Sequence, residues 1–354
     1  MPVLGLIEID GSYGEGGGQI LRTAISLAAL TMKSVRISKI RAGRPTPGLK
    51  RQHLSGIKLT GELVDASIEG LEVGSTEISF IPNQRRSGSF SIDIGTAGSI
   101  SLILQAVLPP AVLAPDPITF QIRGGTDVKW SPPVDYLHNV FSPLLRQLGS
   151  IVEIEQKKRG HYPRGGGEVL CKVNPTKELH SLNLVDFEEL SSVAGVSHCV
   201  RLPSHVAERQ ASSAKEVIRK KLDVEASIET ESYSKNEDHH LSPGSGIVLW
   251  AEDRNGTRLG SDRLGERGER AELVGEKAAQ QLVDEVSRGR AIDSHLADMI
   301  VPYLAVARGE SIIGISEVTS HLTTNLWTIE QILGTPIHLE GNIGESGLLK
   351  IIGN

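Results

Sequence analysis

Apolar positions recur along this chain in two alternating rhythms. Short runs rich in branched residues, such as LIEID near the start and SVRISKIRA further on, have the length and alternation of strands. Between them, GGGQILRTAISLAAL and HLSGIKLTGELV carry small and apolar residues at helical spacing. The combination predicts an α/β or α+β fold. The passage from strand through glycine turn into a helix of small residues returns in FSIDIGTAGSISLILQAVLPPAVL, which points to a repeated unit. The segment from Ile247, IVLWAE followed by a glycine-rich turn and RAELVGEKAAQQLVDEV, resembles a looser third copy. Between residues 183 and 287 the texture changes, with a polar amphipathic helix at AERQASSAKEVIRKKL and a loop at ESYSKNEDHHLSPGSG. The expectation is a large domain formed by 1–182 and 288–354, with 183–287 inserted as a smaller α/β domain. ESIIGISEV reads as a buried strand with SHLTTN at its C-terminal edge, where α/β folds build their sites.

A chain of 354 residues can bury a large core, and 39% apolar with 23% charged residues excludes disorder and coiled coil. The net charge of -6 does not advertise a polyanionic partner. That average hides a stretch holding Lys33, Arg36, Lys39, Arg41, Arg44, Lys50, Arg51 and Lys58 without one Asp or Glu, so a local basic surface is expected. Aromatic residues, at 4%, are too sparse for a general base-stacking platform. Cys171 and Cys199 match no metal or redox spacing. With a strand-like start in place of a leader and no apolar run of about 18 residues, a cytoplasmic location is expected and no membrane role is indicated.

Five segments carry candidate chemistry. In GSYGEGGGQILR, flexible glycines precede a helix whose first N–H groups suit an anion. It is not a Walker loop, because Gly18 is followed by Gln19 and Ile20. A plain glycine turn with Glu15 at its surface fits equally well. RAGRPTPGLKRQH places Arg41 and Arg44 among proline-stiffened turns, where two guanidinium forks suit phosphate oxygens; Arg22 lies one helical turn past the glycines. A solvated charged face is the commoner meaning of such a run. SHLTTN contains His321, which the residues alone do not single out among 11 histidines. HLADM puts His295 and Met299 on one helical face with Asp298 a turn from His295, as an ordinary amphipathic helix also would. GGTDVKWSPPVDYL offers Pro132 and Tyr136 as a flat wall for a ring, although proline pairs also start helices.

Taken in order, DGSYGEGGGQILRT, RAGRPTPGLKRQH, GTAGS with Gln105 downstream, GGTDV with PPVDY, YPRGGGEV, LGERGERAE, HLADM and SHLTTN resemble the RNA 3′-terminal phosphate cyclase family across nearly the whole chain. The resemblance implies a large domain of repeated units, each a small sheet backed by two helices, interrupted by a smaller α/β domain. That unit is similar to the one in enolpyruvyl transferases, so fold alone does not choose the substrate. The implied activity is ATP-dependent conversion of an RNA 3′-phosphate to a 2′,3′-cyclic phosphodiester. By the same resemblance His321 is the histidine that carries AMP, and Glu15 contacts Mg2+ or Mn2+. Gln105, Pro132, Tyr136, His295, Leu296, Ala297, Asp298 and Met299 fall at nucleotide-binding positions, although His295 replaces a tyrosine and Met299 a glutamine of some relatives. Arg22, Arg41, Arg44 and His53 match basic residues for RNA or ATP phosphates. The rival is a cyclase-like protein of ribosome assembly that keeps the fold and lacks the nucleophile; the presence of His321 favours the active branch.

Overall fold

The computed structural model describes residues 5–353. Its first unit runs β1 (Ile7–Asp10), α1 (Gly18–Thr31), β2 (Val35–Ser38), α2 (Arg51–Leu63), β3 (Ser67–Glu69) and β4 (Ile78–Ile81). The strands order as β1-β2-β4-β3, with β1 and β2 parallel and both other pairings antiparallel.

The second unit repeats this plan. It comprises β5 (Gly88–Asp93), α3 (Ile100–Ala111), β6 (Ile118–Gly124), a broken helix, β7 (Ile151–Lys158) and β8 (Gly167–Asn174), ordered β5-β6-β8-β7 with the same senses. The broken helix consists of α4 (Val134–Tyr136), a π-turn over Leu137–Phe141 and α5 (Ser142–Gln147).

The third unit opens with the two-residue β9 (Asn183–Leu184), and the chain then departs into a sheet of different order. That sheet uses β10 (Leu190–Val200), β11 (Ala226–Glu231), β12 (Gly244–Asp253) and β13 (Arg258–Leu264), in the order β11-β10-β12-β13. It is backed by α6 (His205–Leu222) and α7 (Ala271–Ser287), and Ala214, Ile218, Leu249, Ala278 and Leu282 are buried in a core of its own. The chain then completes the third unit with α8 (Ser294–Leu304), β14 (Gly309–Ile315), α9 (Ser320–Leu333), β15 (Ile337–Glu340) and β16 (Gly347–Gly353). Its order, β15-β16-β14-β9, matches the other two units, with β9 and β14 parallel. The fold is therefore three βαβαββ units, with a four-stranded sheet and its two helices interposed in the third. The expected third copy at Ile247 is corrected by this topology, since Ile247 lies in β12 and pairs with Ser197 and Arg263 of the interposed sheet.

The helices of the three units pack together through one continuous core. Helix α1 lies at its centre, against α2, α3 and α9, and Ile20 through Leu30 are buried except for the partly exposed Arg22. Alanine, serine and threonine on every side of α1 explain how three helices approach it closely. Among the described residues no helix is long and apolar enough to cross a membrane.

Candidate active site

The turn between β1 and α1 is shaped by glycines whose backbones a side chain would resist. Gly14 and Gly16 have φ of 59° and 56°, in the left-handed region. A Cβ on Gly14 would stand 2.4 Å from Thr324 Oγ1, so this turn can touch α9 only as glycine. Tyr13 stacks on Trp327 of α9, with ring centroids 4.0 Å apart and 11° between planes. Docked in this way, the turn brings Glu15 to the first residues of α9. Ser320 Oγ donates to Glu15 Oε1, while Glu15 Oε2 lies 3.3 Å from His321 Nδ1 and 3.8 Å from the Arg44 guanidinium.

His321 is half exposed. Burial lowers its pKa, Arg22 and Arg44 lower it further, and the Glu15 carboxylate opposes them without reversing the shift. A carboxylate oxygen facing Nδ1 favours the tautomer with its proton there, which leaves Nε2 as the nitrogen with a free lone pair.

The start of α9 is fixed from below. Thr319 caps it by accepting from the Leu322 N–H (2.9 Å), and its hydroxyl donates to Asp298 Oδ1 of α8 (3.0 Å). Asn325 is buried; its amide donates to the Asp298 carbonyl (2.9 Å) and accepts from Gln19 (2.9 Å) and Thr23 (2.6 Å) of α1. Three helices from two units are thus locked beneath His321. Burial pushes Asp298 up to about 7, against the pull of Thr319, His295 and Arg22. Burial also brings the Arg22 guanidinium down to about 10, against the attraction of Asp298.

A basic group lines the neighbouring cleft between α1, α2 and α3, whose walls include Gly18, Arg22, Gln52 and His53. His53 Nδ1 accepts from the Lys50 N–H (3.1 Å), so the ring proton of the neutral form is on Nε2. Burial, then Arg22, Arg41 and Lys50, bring His53 down to about 4, and the ring is neutral at physiological pH. The two loop arginines differ. Arg41, at a φ of 55°, donates to the carbonyls of Thr46 (2.7 Å) and Gly48 (3.0 Å) and so braces its own loop. Arg44 is more open, reaches Glu15, and borders Gly17, where a Cβ would lie 3.0 Å from its Nη2.

The remaining predicted positions divide by exposure. Leu296, Ala297 and Met299 lie on the core side of α8 and are buried. Tyr136 is also fully buried and is not the accessible wall that the sequence leads one to expect. Its hydroxyl donates to both oxygens of Asp293 (2.6 and 2.8 Å), and its ring lies where a Cβ on Gly260 would be, 2.4 Å away. Asp293, which the sequence reading missed, caps α8 by accepting from the N–H groups of His295 (3.0 Å) and Leu296 (2.9 Å), and it also accepts from Gly260 N–H (2.8 Å). An aspartate just before a helical pattern is the signal that would have found it. His295 is exposed and meets the edge of Tyr136, with centroids 6.1 Å apart. Burial of its surroundings works against its charge, but Asp262, Asp293, Asp298 and Glu285 raise its pKa on balance. Pro132 and Gln105 are partly exposed, Gln105 on α3 between the cleft residues Leu102 and Ala106. Ser320 and Asn325 were missed as well, because their roles are contacts to the first unit, and Thr319 because its hydroxyl meets Asp298 of the preceding helix.

The arrangement joins a neutral, half-exposed imidazole, an adjoining carboxylate and a group of guanidinium cations. It suits nucleophilic attack at a phosphorus whose negative oxygens the cations hold. A profile described as "RNA 3'-terminal phosphate cyclase" matches residues 13–339. A protein named RNA 3'-terminal phosphate cyclase from Methanopyrus kandleri is 54% identical, covering 98% of this chain and 99% of its own. Proteins of the same name from Staphylothermus marinus, 51% identical over 98% of both chains, and Pyrococcus furiosus, 49% identical over 98% and 99%, are similar in the same way. With the three-unit fold, these matches show that the chain belongs to the RNA 3′-terminal phosphate cyclase family.

Proposed function

We propose that this protein uses ATP to convert an RNA 3′-terminal phosphate to a 2′,3′-cyclic phosphodiester through a covalent adenylate on His321. The observation that carries this reading is His321 itself: half exposed, held neutral, and flanked by Glu15 and Arg44 at the end of a capped helix. His321 Nε2 attacks the α-phosphorus of ATP, a phosphorus–nitrogen bond forms, and the bond to the β-phosphate oxygen breaks to release pyrophosphate. An oxygen of the RNA 3′-phosphate then displaces the imidazole and takes the AMP. The ribose 2′-hydroxyl attacks the activated RNA phosphorus, loses its proton, and expels AMP as the ring closes. Adenylation is required because a phosphate monoester dianion is a poor electrophile without a good leaving group; closure benefits from the fixed proximity of the 2′-oxygen.

Arg22, Arg44 and the neutral His53, an Nε2–H donor, supply hydrogen bonds for phosphate oxygens, and Arg41 holds the loop that presents Arg44. Glu15 is partly exposed, and its Oε2 stands 3.3 Å from His321 and 3.8 Å from Arg44, which fits a site where one carboxylate and substrate phosphates share Mg2+ or Mn2+. Such an ion offsets triphosphate charge when bound. Gln105, Pro132, His295 and Asp298 are the members of the predicted nucleotide group that retain surface to meet adenosine. In this reading the expected insert 183–287 acts as a small domain, apart from Asn183 and Leu184, which form β9 of the third unit.

Incubation with α-labelled ATP and Mg2+, followed by denaturation, should leave acid-labile label on the chain. Label that persists in His321→Ala would remove the nucleophile assignment, and absence of label from the unaltered protein would remove the mechanism.

A further inference from the structure

A second cluster of buried polar groups lies where two loops of the second unit meet β10 of the interposed sheet. Asp127 follows β6, His161 lies in the β7–β8 connection and His198 is on β10; their exposures are 2%, 6% and 0%. His198 Nε2 is 3.2 Å from His161 Nε2 and 3.7 Å from Asp127 Oδ1, and His161 Nε2 is 4.0 Å from Asp127 Oδ2. One ion with bonds of ~2.0–2.2 Å links donors at separations of roughly this size. The approach is built in. A Cβ on Gly244 would lie 2.2 Å from the His161 ring, and one on Gly246 2.9 Å from His198 Cε1, so two glycines of β12 make room for the imidazoles. Thr126 Oγ1 donates to Asp127 Oδ2 (2.6 Å) and orients the carboxylate, as outer partners of metal ligands do.

The charge balance leads to the same ion. Arg159 lies 3.3 Å from Asp127, 2.8 Å from Asp135 and 2.6 Å from Glu231, one cation against three carboxylates. The two rings meet Nε2 to Nε2, and among the described residues His198 Nδ1 has no hydrogen-bond partner that would fix a tautomer. A dication takes both lone pairs and offsets the excess negative charge.

We propose that Asp127, His161 and His198 bind a zinc-class divalent ion that fastens the interposed sheet to the second unit, separately from the Glu15 site. Two imidazoles with one carboxylate select such an ion over Mg2+, which prefers all-oxygen shells. The test is titration of chelator-treated protein with Co2+, read by its visible ligand-field absorption. One Co2+ per chain should bind, Zn2+ should displace it at one equivalent, and Zn2+ should raise the unfolding midpoint of the unaltered protein. Binding should be intact in Glu15→Gln and weaker by more than about 100-fold in His198→Gln and His161→Gln, beyond what outer-shell changes cost. If a histidine variant does not fold, the stoichiometry and the Zn2+-dependent midpoint of the unaltered chain decide. Binding that does not saturate at one ion, survives His198→Gln or disappears in Glu15→Gln would overturn the proposal.

Discussion

Replacing Gly14 by alanine tests whether the docking of the β1–α1 turn on α9 holds Glu15 beside His321. Two costs can be separated. The left-handed backbone at a φ of 59° costs an alanine about 1–2 kcal/mol relative to glycine. The new methyl would stand 2.4 Å from Thr324 Oγ1, and crowding of this kind costs about 1–3 kcal/mol. The other nearby Thr324 atoms would be at 3.5 and 3.6 Å, ordinary contact, so the clash belongs to one oxygen. Thr324→Ala removes that oxygen and loses only a bond to the Ser320 carbonyl within its own helix. Gly14→Ala should therefore destabilise by about 2–5 kcal/mol and slow self-adenylation as Glu15 is displaced; Gly14→Ala with Thr324→Ala should recover the crowding part, about 1–3 kcal/mol, and leave the backbone part. Urea denaturation of the four proteins of this cycle, with labelled-ATP transfer measured in parallel, reads both. Additive effects, or a stable Gly14→Ala protein with full adenylation, would refute the argument that contact with Thr324 positions the turn.

The two loop arginines should separate by their contacts. Arg44→Gln should leave stability within about 0.5 kcal/mol but weaken use of the phosphorylated RNA, with the slope of log affinity against log salt reduced by about one. Arg41→Gln should in addition make the 41–48 loop a proteolytic site, because the Thr46 and Gly48 carbonyls lose their donor. Asp298 predicts a pH dependence of stability. Its pKa is about 7 in the folded state against 3.8 as the reference, so the fold binds the proton more tightly than the unfolded chain. The resulting stability is present at low pH and is lost as pH rises from about 4 to about 7. Asp298→Asn should flatten that decline and raise the unfolding midpoint at pH 8; a midpoint profile unchanged by the substitution would count against the raised pKa of this carboxyl.

Local sequence determined much of this protein. The periodicities yielded α1, β5, α3, α6 and β14, because each needs only its own apolar spacing, glycine turns and caps. The order of short motifs was enough to identify the family, since eight blocks in one sequence constrain more than any single glycine loop. Tertiary structure alone decided the rest. Membership of the third unit is settled by hydrogen-bonded strand order: the two-residue β9 is too short to carry a pattern, while the longer β12 resembles a repeat strand and pairs elsewhere. Tyr136 and Met299 looked like surface candidates because sequence spacing does not say which side of an element meets the core. The contacts of Glu15 with Ser320 and of Asp127 with His198 join residues far apart along the chain. No local spacing encodes them; they exist because packing of the helices and the interposed sheet brings those side chains together.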